Sequence, residues 1–308
     1  NVSRENVQKN ALIEKIKNSL TLRVLKELQT LAEQNAEKYG KFWQTYGTLL
    51  KEGVSSDFKN KDRLKDLLRF NSSISEDSST DVSLKDYVSR MREGQKDIFY
   101  VTGGSRDAIL HNPNLEYFRR EGLEVLFLTD QIDDFMVVDL RDYDEKTLKN
   151  ISQGDIEGIN DSDMSAAESS LSKEEKSDIL AFFKKQLKDR VSDVSDSKRL
   201  VDNPCSLVTP KDGMTAQMEK MMKMMDQKFQ GEKRNLEVNM GHPIIQNLSE
   251  ILQKNKKHPF LEETVEQLYE NSLLVEGLLE NPVQILSRYQ KFIESASAYE
   301  LEKLNRVE

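Results

Sequence analysis

The apolar positions Leu12, Ile16, Leu20, Val24, Leu28 and Leu31 recur at intervals of three and four, which gathers side chains on one helical face. They predict one long amphipathic helix from Arg4 to about Tyr39, or two helices with a bend, stopped by Gly40. Ser3 can cap its start with Glu5 in the first turn, and Arg4 and Gln8, four apart, share a face. Trp43, Tyr46, Leu49 and Leu50 continue the helical pattern to Gly53, and "DRLKDLLRF" adds another turn or two. The stretch from Asn71 to Asp81, "NSSISEDSSTD", has almost nothing to bury and reads as a surface loop. "SLKDYVSRM" then resumes as a short helix capped by Ser83.

The period changes after that. "DIFYVT" and "LEVLFLT" are β-rich apolar runs flanking a helical stretch from Ser105 to about Arg120 that contains Pro113. Strand–helix–strand order predicts a parallel pair. "DDFMVVDL" is a helix or a strand by periodicity alone. Residues from Gln153 to about Ser172 are polar and mark a linker between domains. Beyond it, "KEEKSDILAFFKKQL" is an amphipathic helix, while "VSDVSDSKRL", "CSLVT" and "LEVNM" look like strands around a methionine-rich helix. Three helical blocks close the chain, from Pro243, Leu261 and Val283, with Pro282 suited to a first turn. The class is therefore α/β and α+β, with domains at 1–153 and 173–308 joined by 154–172.

Composition narrows the function. The 308 residues carry 54 acids against 45 bases, a formal net charge of -9, which gives no global electrostatic case for nucleic acid or an anionic membrane. Cys205 is the single cysteine, so no intramolecular disulfide forms and a reducing, cytoplasmic setting fits. No run of about 18 apolar residues is present. No Met precedes Asn1, so the chain reads as a cut piece, an engineered truncation in preference to a natural one, and a lost targeting segment stays open.

Most candidate chemistry has a plainer reading. Gly103 and Gly104 between a strand and a helix lack the G-x-G-x-x-G or Gly-Lys-Ser/Thr pattern, and serve a tight turn with Ser105 as cap. Asp130, Asp133 and Asp134 suit a helix start better than a divalent cation, so no metal is expected. His111, His242 and His258 carry no hydrolase or metalloprotease pattern.

"GMTAQMEKMMKMMDQKF" is different: six of the ten methionines lie between Met214 and Met225. On a helix, Met214, Met218, Met221, Met222 and Met225 fall within an arc of about 100°, with Phe229 on the same stripe and Met224 beside it. Glu219, Lys220, Lys223 and Gln227 take the opposite face. Periodicity favours a core-facing helix; the side-chain chemistry favours a binding surface, since methionine adapts to many shapes. In the last blocks, Leu261, Val265, Leu268, Leu274 and Leu278, then Ile285, Leu286, Tyr289, Phe292 and Ile293, form two stripes joined by a short connection. They can pack on their own domain or pair with a second copy as a four-helix bundle.

"NVSRENVQ", "LLRFNSS", "SLKDYVSRM", "QKDIFYVTG" and "LEVLFLTDQIDDFM", followed by the methionine helix, resemble in order the ninety-kilodalton heat-shock chaperone family, in its bacterial high-temperature protein G branch. The resemblance implies the distal part of that family's middle domain, with a helical segment and a small αβα subdomain, then its C-terminal dimerisation domain. It implies that Arg4 and Gln8 match the motif that reaches the γ-phosphate of ATP, held with Mg²⁺ by a nucleotide domain this chain does not contain, so that the chain alone is no enzyme. It implies contact with unfolded client proteins through Met214, Met218 and the Met221, Met222 and Met225 stripe, and through Asp134 and Phe135, where other bacterial members often carry Trp. It also implies a homodimer through Leu274, Leu278, Ile285, Leu286, Tyr289, Phe292 and Ile293. The ending "LNRVE" differs from the Met-Glu-Glu-Val-Asp tail of eukaryotic members, so docking of a tetratricopeptide partner is not implied. The alternative is a dimeric protein-interaction scaffold without a part in ATP hydrolysis.

Overall fold

Local chain chemistry sets the first break. In the computed structural model, which describes residues 11–75, 81–154, 169–211, 213–226 and 228–306, helix α1 (Ala11–Gln34) ends at Asn35. Asn35 leaves helical geometry at φ -149° and accepts a hydrogen bond from the Lys38 amide at 2.9 Å, capping α2 (Ala36–Ser56). The stops expected at Gly40 and Gly53 do not occur, because both glycines lie inside α2. An interior glycine weakens a helix without ending it. The α1 stripe is also only half used. Leu28 and Leu31 pack on the core beside buried Leu25, whereas Leu12, Ile16, Leu20 and Val24 are exposed.

The chain continues through α3 (Lys61–Leu67), β1 (Asn71–Ser72) and α4 (Leu84–Arg90), where Ser83 and Asp86 form a reciprocal capping box. Strand β2 (Asp97–Thr102) follows, then α5 (Arg106–Leu110), a 3₁₀ turn at Pro113–Leu115, α6 (Glu116–Arg120) and β3 (Leu126–Leu128). Pro113 divides what the sequence suggested was one helix, as a residue without an amide hydrogen does in a helix interior. "DDFMVVDL" is helical, α7 (Asp133–Leu140), and is followed by the hairpin β4 (Asp142–Tyr143) and β5 (Lys146–Asn150).

Contacts divide the chain into two units, Asn1–Arg106 with Leu123–Asn150, and Asp107–Gly122 with Ile151–Glu308. The first holds a five-stranded mixed sheet ordered β1-β3-β2-β5-β4, in which β2 runs parallel to both β3 and β5. Its core gathers Tyr39, Trp43, Leu67, Leu68, Leu84, Tyr87, Ile98, Leu126, Met136 and Leu140. Tyr87 anchors that core with polar contacts, its hydroxyl donating to Glu124 O at 2.7 Å and accepting from the Phe99 amide at 2.9 Å.

The second unit contains α8 (Lys173–Leu187), β6 (Val194–Asp196), β7 (Cys205–Val208), α9 (Ala216–Met225), β8 (Asn235–Val238), α10 (Pro243–Lys254), α11 (Pro259–Glu276) and α12 (Val283–Asn305). Its three-stranded sheet, β6-β8-β7, is also mixed. Ile179, Phe183 and Leu187 of α8 meet Leu207, Leu236 and Val238 of the sheet and Ile245, Leu248, Leu261 and Val265 of the following helices. Charged groups complete the frame: Glu116 accepts from the Val201 and Asp202 amides at 2.7 and 2.9 Å, and Arg199 grips Glu237 through two nitrogens at 3.0 and 2.8 Å. Gln153, expected to open a linker, pairs with Thr209 beside β7 in this unit.

Candidate functional site

The one fully buried side chain of helix α9 is an acid from its polar face, and the methionine stripe is at most half-covered. Within it, Glu219 is the buried residue, 3% exposed, while Met222, Met224 and Met225 are 38%, 84% and 78% exposed. Met218 and Met221 are half-buried. Thr215 caps the helix by accepting from the Met218 amide at 3.2 Å. Met214 therefore precedes the helix and does not share its stripe, and its amide donates to Glu232 Oε2 at 3.0 Å. Phe229 likewise lies beyond the last turn. Met224, set beside the stripe by helical geometry, is the most exposed of the three.

The polar face is docked by charge. Arg234 Nη1 lies 2.7 Å from Glu219 Oε2, both side chains buried, and Lys223 Nζ reaches Glu219 Oε1 at 3.4 Å and Glu280 Oε1 at 3.1 Å. Sequence reasoning placed Glu219 and Lys223 on the face opposite the methionines and did not find Arg234 or Glu280. Arg234 leads into β8, fifteen residues from Glu219, where no helical period connects the two.

The helical hairpin α11–α12 is closed by polar and aromatic contacts. Arg288 pairs with Glu270 at 2.5 Å, Lys291 with Glu263 at 3.0 Å, and Phe260 meets Phe292 edge-on at 5.8 Å. Of the seven residues expected at a dimer interface, Leu278 and Ile285 are buried within the chain and Phe292 is half-buried. Leu274, Leu286, Tyr289 and Ile293 face solvent, as do Tyr299, Leu301 and Leu304 further along α12.

A scan against family models matches residues 1–307 to the Hsp90 protein model. The chain belongs to the Hsp90 family. Among curated relatives, it is 42% identical over 309 aligned positions to the chaperone protein HtpG of Chlorobaculum tepidum, covering 96% of this chain and 47% of that protein. It is 40% identical to that of Chlorobium luteolum, with the same coverage. For Oleidesulfovibrio alaskensis the identity is 39%, over 97% of this chain and 48% of the relative. The chain thus spans about half the length of the relatives it matches.

Other sequence candidates within this Hsp90-family chain resolve individually. Arg4 and Gln8 lie outside the described residues. Asp134 is 2% exposed, so of the pair expected to touch a client only Phe135, 40% exposed, stands at the surface. Asp134 lies in the first turn of α7 and is buried there beside Asp133, although Val138, one turn further on, is 52% exposed. Asp133 is buried too, 2.8 Å from Lys51 Nζ, which also reaches Asp130 at 2.7 Å. Burial pushes the Asp133 carboxyl up to about 6, against the pull of Lys51.

His242 and His258 are helix caps whose Nδ1 atoms accept from Ile244 and Phe260 amides at 3.1 and 3.3 Å. Desolvation lowers the His242 pKa, which keeps it a neutral acceptor. Cys205 is buried beside Ser272, and burial pushes its thiol up to about 11. Among the described residues no group of His, Cys, Asp and Glu is placed to hold a metal, and no helix is long and apolar enough to cross a membrane.

Proposed function

We propose that this chain is the client-holding and dimer-forming part of an ATP-dependent chaperone. The observation that carries the reading is the outward methionine surface of α9, held on a helix whose buried side chain is an acid. Flexible, polarizable side chains presented to solvent suit apolar segments of differing shape. The family match and the chaperone names of its relatives support the same role. In this reading the client surface comprises Met218, Met221, Met222, Met224 and Met225, with Met214 at its edge and Phe135 as a separate contact on the first unit.

The exposed row Leu274, Leu286, Tyr289 and Ile293 pairs with its copy in a homodimer. Arg4 and Gln8 approach the γ-phosphate of ATP, which is held with Mg²⁺ by a nucleotide-binding domain outside these 308 residues. A guanidinium in that position stabilises charge on the transferring phosphoryl group. The chain alone then turns over no ATP, and the parent protein acts in the cytoplasm.

Replacing Met222, Met224 and Met225 together by Ser tests the client surface. Suppression of aggregation of a heat-unfolded model enzyme falls severalfold, while unfolding stability changes by roughly 0.5 kcal/mol or less, as for surface positions. Unaltered suppression overturns the assignment.

A further inference from the structure

An amphipathic helix ordinarily turns its apolar stripe inward. Helix α9 instead buries Glu219, leaves Met218 and Met221 half-buried and exposes Met222, Met224 and Met225, and its surroundings identify a cause. The buried Arg234 guanidinium contacts the segment twice, through Nη1 to Glu219 Oε2 at 2.7 Å and through Nη2 to the Met214 carbonyl at 3.3 Å. One side chain thus holds the residue before the cap and the second turn of the helix.

The loop leading to Arg234 closes directly over the carboxylate. A Cβ on Gly231 would overlap Glu219 Oε1, so this position accepts no larger residue while Glu219 stays in place. Two further contacts fasten the same face. Lys223 reaches Glu280, and the Lys220 ammonium lies against Gly277, the left-handed cap at the carbonyl end of α11, where a cation is favoured.

We propose that Arg234 is a positioning residue that decides which face of α9 meets solvent. By holding Glu219 inside, it keeps Met222, Met224 and Met225 outside. A buried guanidinium without its carboxylate is strongly unfavourable, and so is a buried carboxylate without its guanidinium. The pair therefore prevents the rotation that would bury the methionines. This inference rests on the reading of the methionine surface as the client site, and it concerns how that surface is kept available.

The test is methionine oxidation by dilute hydrogen peroxide, followed residue by residue with mass spectrometry, alongside aggregation suppression. Arg234→Met removes the cation and leaves an apolar patch, so α9 turns Glu219 out and the methionines in. Oxidation of Met222, Met224 and Met225 slows at least fivefold, and suppression falls with it. Glu219→Met combined with Arg234→Met restores an apolar pair on the original face, and oxidation returns to within twofold of the parent chain.

General loosening would act with the opposite sign, so faster or unchanged oxidation in Arg234→Met overturns the proposal. If that variant fails to fold, Glu219→Gln serves, since it leaves the buried guanidinium without its carboxylate. Slower oxidation of the three methionines supports the pair, and unchanged or faster oxidation overturns it. Slowed oxidation with undiminished suppression would uphold the role of Arg234 and refute the client site itself.

Discussion

Asp133→Asn isolates a cost that the first unit carries in its core. Asp133 is fully buried on α7, and desolvation lifts its pKa from 3.8 to about 6 even though Lys51 lies 2.8 Å away. A raised carboxylate pKa means that the folded chain binds a proton more tightly than the unfolded one. Stability therefore falls as pH rises from about 4 to about 6, where folding keeps a proton that unfolding would release. A shift of about two units corresponds to about 3 kcal/mol across that window. Asparagine has nearly the same shape and cannot titrate, while Lys51 keeps Asp130 at 2.7 Å. The assay is urea unfolding from pH 4 to pH 7, read by Trp43, the single tryptophan, which packs in this core with Lys51 5.7 Å from its ring. Contributions from titrating groups that do not contact Asp133 cancel in the difference between the two proteins. The parent should lose about 3 kcal/mol more than the variant between the two ends of the range. Parallel profiles would refute the argument, showing that Asp133 ionises as readily in the folded chain as in the unfolded one.

Two other perturbations address the remaining assignments. Leu286→Glu with Ile293→Glu alters side chains that face solvent on α12, so it should leave the hairpin folded while converting a dimer of 35.5 kDa chains to monomer. Sedimentation equilibrium over a wide concentration range measures this, and a parent chain that is monomeric throughout would remove the proposed interface. Placed in the full-length parent protein, Arg4→Ala should lower ATP turnover by a factor of 10³ or more with nucleotide affinity little changed, as for loss of a phosphoryl-directed arginine. Undiminished turnover would favour the scaffold alternative.

Where the sequence was legible, local chemistry and burial agreed. Ser172 and Glu175 form the capping box that begins α8, and the helix ends at Leu187, matching the amphipathic block residue for residue. Ser83 caps α4 as expected, and the apolar runs at β2 and β3 pair in parallel. The hairpin β4–β5 was hidden because its strands, "DY" and "KTLKN", are short and polar and offer no alternation to read. Its turn is made by Asp144 and Glu145 at positive φ, without the glycine that usually announces such a turn. The candidate surface was legible as a run of methionines, but its orientation was not. Helical periodicity identifies which residues share a face, whereas which face is buried depends on what lies opposite. Here that is Arg234, contributed by a later segment of the chain.

The two exposed apolar helices differ in a way that fits two kinds of partner. Along α12 the solvent-facing apolar side chains include Leu286, Tyr289 and Ile293, which lose less freedom than methionine when they meet a fixed counterpart. A permanent interface can match such shapes once and retain them. Along α9 the exposed side chains are methionines, each losing about 1.5–2 kcal/mol of rotamer freedom if immobilised. Three of them spent on a fixed interface would forfeit much of what their burial contributes. The loss is smaller when the partner is itself irregular and the thioether chains keep moving against it. The rigid part of this arrangement is consequently on the other face, in the Glu219–Arg234 pair, which fixes the backbone of α9 while leaving the methionine ends free.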